Sequence, residues 1–215
     1  MFLDFHTHTR SVAPDVQCIL NVRYPGEIGD GGPVSLGIHP YDAGDEAVDW
    51  FDVEAKMALP QVRVIGEAGL DVLHGGKQQE EIFLKQINIA ERCRKPMVIH
   101  CVKAFNELIA MRRLLRPRQA WAVHGFNRKP ELAEELIKRG FYLSFGKSLL
   151  DKSTVQESLA VCPLDRLFLE TDDAQDVSIQ EIYTKASQIK GRAIEDLKLD
   201  IQKNFYERFV VAVPV

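Results

Sequence analysis

Short apolar, β-rich runs recur along the chain at 2–5, 18–22, 34–38, 62–65, 97–101, 120–123, 141–145 and 167–171. They are continuous rather than alternating, which suits strands covered on both faces and hence a parallel sheet. From the fourth run onward the intervening segments carry helical periodicity. Residues 80–93 place Ile82, Gln86, Ile87, Ala90 and Cys93 along one stripe. Helices are also predicted over 104–115, 130–139, 153–161 and 194–209, the last with Leu197, Ile201, Phe205 and Phe209 on a common face. Pro130 suits a first helical turn and Gly140 a stop. Ser153 with Gln156, and Ser178 with Glu181, have capping-box spacing.

Alternating strand and helix predicts parallel βα units, most economically a (β/α)8 TIM-type barrel. Its start is abbreviated. Only a short, Pro14-bearing segment separates the first two runs, and the Gly- and Pro-rich stretch 23–33 cannot hold a good helix. The first two helices are therefore expected to be short or missing, with a hairpin between 18–22 and 34–38 as the competing arrangement. No repeat, low-complexity tract or linker interrupts the chain, so one domain over 1–215 is expected.

The chain has 215 residues, within the range of a single barrel. No apolar run approaches the ~18 residues of a membrane span, and no secretory signal is visible, so a cytoplasmic protein without membrane attachment is expected. Cys18, Cys93, Cys101 and Cys162 show no CxxC pair and read as structural thiols of a reducing compartment. The formal net charge of −4 offers no global attraction to nucleic acid, so such a substrate needs a local basic patch. No obligate protein partner is evident.

The chemistry gathers where the apolar runs end. His6 and His8, two apart in an extended segment, point the same way and can face one metal ion. Glu67, His100, His124 and Asp172 stand at or just beyond the ends of later runs, and so does His39. In a parallel barrel that is the functional face. A mixed imidazole and carboxylate set suits a borderline divalent ion such as zinc, manganese or iron. Two such ions, with one carboxylate bridging, would stand about 3.5–4 Å apart and could clamp attacking and leaving oxygens. Basic residues on the same side (Arg10, Lys103, Arg128, Lys129 and Lys147) could hold phosphate oxygens. Lys103 stands out because it lies three residues after a candidate ligand.

These residues resemble the TatD-type metal-dependent deoxyribonucleases, within the wider amidohydrolase-like barrels. The resemblance runs in order through 2–8, Leu36-Gly37-Ile38-His39-Pro40, Ile65-Gly66-Glu67-Ala68-Gly69-Leu70-Asp71, Val98-Ile99-His100-Cys101, Val123-His124-Gly125-Phe126, Tyr142-Leu143-Ser144-Phe145 and Leu169-Glu170-Thr171-Asp172. It implies that His6, His8, Glu67 and Asp172 surround one metal, with Glu67 bridging to a second held by His100 and His124. It also implies that Asp172 orients or deprotonates the attacking water, making Asp172 and Glu67 the catalytic carboxylates. His39 would contact phosphate or support the ligands, alongside Lys103, Arg128 and Lys147. The implied cofactor is one or two ions of zinc, manganese, magnesium or iron, and the implied substrate DNA or another phosphodiester.

Two departures stand out. The family carries Arg and an acidic residue where this chain has Val102-Lys103. Its proline-bearing segment and Arg-rich Asn-Glu-Pro stretch after the last ligand are replaced by 173–177 leading straight into a helix. Asp4-Phe5-His6-Thr7-His8-Thr9 also resembles the opening of the polymerase-and-histidinol-phosphatase-type enzymes. Those usually add a late Asp-x-His pair, whereas no histidine follows His124. A small-molecule amidohydrolase and a catalytically reduced metal-binding protein are the remaining alternatives.

Overall fold

The computed structural model describes residues 1–44 and 48–209. Parts of the expected span 1–215 therefore lie outside the described residues. Eight strands follow chain order in one sheet: β1 (Phe2–Thr7), β2 (Val16–Arg23), β3 (Val34–Gly37), β4 (Val62–Asp71), β5 (Met97–Val102), β6 (Trp121–Val123), β7 (Tyr142–Phe145) and β8 (Leu167–Leu169). The pairs β1·β2, β3·β4, β4·β5, β6·β7 and β7·β8 are parallel. This is the expected (β/α)8 class, and the competing hairpin does not form. No helix separates β1 from β2 or β2 from β3. The helices are α1 (Trp50–Ala58), α2 (Gln79–Cys93), α3 (Phe105–Leu115), α4 (Pro130–Lys138), α5 (Ser148–Asp151), α6 (Ser153–Val161), α7 (Ile179–Lys190) and α8 (Ile194–Arg208).

The described residues divide into two compact units, Met1–Leu20 with Ala122–Arg208, and Asn21–Trp121 with Phe209. In the first unit Leu3 and Phe5 are buried, and Phe5 stacks on Phe168 with ring centroids 4.0 Å apart. The predicted face of α8 is buried at Leu197, Ile201 and Phe205. Ser178 closes a capping box with Glu181 at the start of α7, and Gly191 ends that helix in the left-handed conformation. The box expected at Ser153 is absent. Gln156 instead donates to Leu149 O, because the adjoining turn of α5 leaves carbonyls to satisfy.

In the second unit α2 buries Ile82, Phe83, Gln86, Ile87 and Ala90 as its periodicity predicts. Each large aliphatic or aromatic side chain so buried contributes about 1.5–3 kcal/mol. Gln86 is the polar member of that stripe. Its Oε1 accepts Ile38 N at 2.8 Å and its Nε2 donates to Ile38 O at 3.0 Å, tying the end of β3 to α2. Helix α1, absent from the sequence reading, starts at Asp49, whose side chain accepts from Phe51 N and Asp52 N. Trp121 is fully buried and packs against Phe83. All four cysteines are free thiols. No helix among the described residues is long and apolar enough to cross a membrane.

Candidate functional site

In the first unit, β1 alternates Leu3 and Phe5 with Asp4 and His6, and His8 follows just past its end. Asp172 lies just beyond β8 and pairs with β1. Its N donates to His6 O and its O accepts from His8 N, both at 2.9 Å. Its φ of +56° is left-handed, a conformation aspartate tolerates better than most residues. The turn aims the carboxylate at the imidazoles, with Oδ1 3.6 Å from His6 Nε2 and 3.5 Å from His8 Nε2. His124 joins them, its ring centroid 4.4 Å from that of His6. Ligand atoms of His6, His124 and Asp172 lie within 4.8 Å of one another.

Two carboxylates support this group from below. Asp4 accepts Thr171 N at 2.9 Å and Thr171 Oγ1 at 2.6 Å, gripping the residue before Asp172. Burial pushes its carboxyl up to about 7, against the opposing pull of the Thr171 hydrogen bonds. Glu170 accepts from Gly125 N and stands 3.7 Å from His124 Nδ1. Burial would raise its pKa, but His124, with His6 and Ser144, outweighs burial and holds it below the usual range. Beside Asp172 opens a cavity of about 510 Å³, lined among others by Phe126, Asn127, Lys147 and Asp176.

In the second unit, Glu67 is the hub. Asn21 Nδ2 donates to its Oε2 at 3.2 Å, while Asn21 Oδ1 accepts from Glu67 N and from Ser35 Oγ, each at 3.1 Å. Its Oε1 faces His100 Nδ1 at 2.7 Å and His39 Nε2 at 3.1 Å. The far nitrogen of His100, Nε2, meets Asp71 Oδ2 at 3.0 Å. Glycine in β4 permits this closeness to β5: a Cβ on Gly69, with φ +152°, would stand 2.0 Å from His100 O. His39 Nδ1 accepts Tyr41 N at 3.1 Å, so its proton resides on Nε2 and is donated toward Glu67. His39 is therefore a donor at this site, although it lies within ligand distance. Burial holds its pKa below the ordinary value, with Glu67 opposing.

Both groups fit a divalent cation. In the first, nitrogens 3.5–3.6 Å from one carboxylate oxygen are at or beyond hydrogen-bond range. That separation suits donors placed about 2.1 Å from a common ion. In the second, His100 has a carboxylate oxygen on each ring nitrogen, whereas neutral imidazole has one N–H. With Nε2–H donating to Asp71, a cation would take up the lone pair that Nδ1 turns toward Glu67.

The structure thus gathers His6, His8, His124 and Asp172 in one unit and His39, Glu67 and His100 in the other. Lys147 lines the cavity but is ion-paired with Asp176 at 2.7 Å. Lys103 is exposed with φ +53°, and Arg128 is half-buried with its carbonyl accepting Ser158 Oγ. Sequence reading assigned no role to Asp4, Asn21, Asp71 or Glu170. Asp4 and Glu170 are each two residues from a candidate ligand, so strand alternation carried their signal. Asn21 has none.

Imidazoles and carboxylates at the carboxyl ends of strands in a parallel β/α fold define a metal-dependent hydrolase. The family of TatD related DNases matches residues 26–209. The chain belongs to that family and is a metal-dependent hydrolase. The uncharacterized metal-dependent hydrolase YcfH of Escherichia coli strain K12 is 28% identical over 193 residues, covering 81% of this chain and 72% of that protein. The 3'-5' ssDNA/RNA exonuclease TatD of Citrobacter rodentium is 30% identical over 146 residues, covering 64% of this chain and 56% of that protein. The structure of YJJV, a TatD homolog from Escherichia coli K12, shares the fold with a TM-score of 0.79 at 18% identity, covering 98% of each chain. None of this favours the phosphatase, amidohydrolase or non-catalytic alternatives.

Proposed function

We propose that this protein hydrolyses phosphodiester bonds of nucleic acid, DNA foremost, in the cytoplasm. His6, His8, His124 and Asp172 in the first unit would hold a metal ion, and so would Glu67 and His100 in the second. One or two divalent ions (zinc, manganese, magnesium or iron) would supply Lewis acidity and a more acidic water when bound. Asp172, with Oδ1 toward His6 and His8, orients the attacking water and accepts its proton at Oδ2. His39 donates from Nε2 to a phosphate oxygen or to Glu67. Lys103, Arg128 and Lys147 hold the flanking phosphates.

One observation carries the reading. Asp172 stands among imidazoles and lines a cavity with a third of its side chain exposed, whereas Glu170, which lines the same cavity, is buried. A hydrolase needs its water-activating group at such a boundary between ligand cluster and substrate space. The relative named 3'-5' ssDNA/RNA exonuclease supports nucleic acid as the substrate class. Purified protein loaded with manganese or zinc is expected to shorten end-labelled single-stranded DNA and to cleave bis-p-nitrophenyl phosphate. Metal-loaded protein inert on both, yet turning over p-nitrophenyl phosphate or a carboxylic ester, would replace this reading with a monoesterase or a carbon-centred hydrolase.

A further inference from the structure

We propose that Asp71 is a positioning residue that fixes the tautomer of His100 and so presents Nδ1 as the metal-ligating nitrogen. The inference rests on the metal-hydrolase reading above but not on the identity of the substrate. Asp71 ends β4, and its side chain is fully buried. Oδ1 accepts Leu73 N at 2.7 Å and His74 N at 2.8 Å, while Oδ2 faces His100 Nε2 at 3.0 Å. Gln79 Oε1 accepts Asp71 N at 2.7 Å and Gln79 Nε2 donates to Asp71 O, so the backbone beneath the carboxylate is held too.

A carboxylate fixed in this way can only accept. Glu67 is an acceptor too, so a cation held against Glu67 would take the Nδ1 lone pair and leave the single N–H of a neutral His100 for Asp71. That nitrogen is the one 2.7 Å from Glu67 Oε1 and 3.3 Å from His39 Nε2. His39 cannot supply the alternative, because its own Nε2 carries a proton. The Tyr41 hydroxyl, which also bonds to Asp71, donates to the carboxylate and does not bias the choice. His74 Nδ1, 3.7 Å from Asp71 Oδ1, is beyond hydrogen-bond range.

Asparagine at this position tests the argument because it keeps the shape and exchanges one acceptor for a donor. Two backbone N–H groups hold the oxygen in place, so the amide NH2 must face His100 Nε2. His100 then moves its one proton to Nδ1, where Glu67 accepts it and a cation is displaced. The number of protons on the ring does not change; only their position does.

The experiment combines 15N NMR of the protein at one fixed zinc concentration, which distinguishes Nδ1–H from Nε2–H, with zinc and manganese titrations. Wild type is expected to show His100 as the Nε2–H form. Asp71→Asn is expected to show Nδ1–H and to bind metal about 10–100-fold more weakly, the range for loss of a partner behind a metal-binding histidine. Gln79→Ala, which loosens the same turn but keeps the carboxylate, is expected to lower Tm while leaving His100 as Nε2–H. Nδ1–H in wild type overturns the inference whether or not Asp71→Asn folds. So does an unchanged tautomer or a metal affinity within twofold of wild type in Asp71→Asn, or a tautomer swap in Gln79→Ala. Metal-loaded wild type that leaves DNA intact would defeat the phosphodiesterase reading without touching these ring-nitrogen signals, so the two failures are read separately.

Discussion

Asp172 combines three properties seldom found together: a left-handed backbone, a carboxylate among imidazoles, and partial exposure to a cavity. Asp172→Asn retains the size and the tolerance of positive φ while removing the negative charge and the proton-accepting power. Hydrolysis of bis-p-nitrophenyl phosphate is expected to fall by about 10²–10⁴-fold, the usual loss for a positioned acid–base group, with circular dichroism unchanged. Asp4 supports Asp172 through Thr171 and leads to a pH prediction. Its folded pKa, raised by burial to about 7, exceeds the unfolded value, so the metal-free fold has the full benefit below about pH 4. That benefit disappears as pH rises through about 7. Comparing Tm of wild type and Asp4→Asn with chelator present, from pH 4 to 8, is expected to show wild type losing ground. About 2–4 °C accompanies each kcal/mol in a chain of this size. At this scale His6, His8, Glu67, His100, His124 and Asp172 were legible as candidate ligands because ligand chemistry recurs at run ends. Asp71 and Asn21 were not, since their roles arise from hydrogen bonds to residues brought near only by folding.

Among the elements, the connection of β3 to α2 shows how packing holds chemistry in place. Gln86 sits at an apolar position of the helical stripe, and periodicity placed it correctly without disclosing its task. It satisfies both polar groups of Ile38, the residue before His39. Gln86→Leu preserves volume and apolar burial but strands a buried N–H and C=O, each costing about 1–3 kcal/mol. Chemical denaturation is expected to report a loss of about 2–6 kcal/mol, the sum for the two groups, and phosphodiesterase KM is expected to rise as His39 loosens. Strands and late helices were legible because apolar runs and 3.6-residue stripes persist whatever the context. Helix α1 escaped notice because its short buried face, Val53 and Met57, offers too few turns to establish a period.

At the scale of the whole molecule, the order of the motifs along the chain conveyed both the fold class and the family, since eight strands in sequence order deliver their end residues in sequence order. Metal linkage is the corresponding prediction. Free zinc or manganese at 100 times its Kd is expected to stabilise the fold by about 2.7 kcal/mol, and EDTA to reverse the shift. Differential scanning fluorimetry across a metal series checks this, and an unmoved Tm would contradict ligation by these residues.

Lys147 and Asp176 meet in the open at the rim of the cavity beside Asp172. Exposed pairs of this kind are weak because water and salt screen them, so an incoming phosphate can take the ammonium from the aspartate at little cost. The aspartate then acts as a placeholder that the polyanion must outcompete. Asp176→Asn is expected to lower KM for short DNA severalfold with kcat unchanged, a gain that fades as added salt screens both rivals alike.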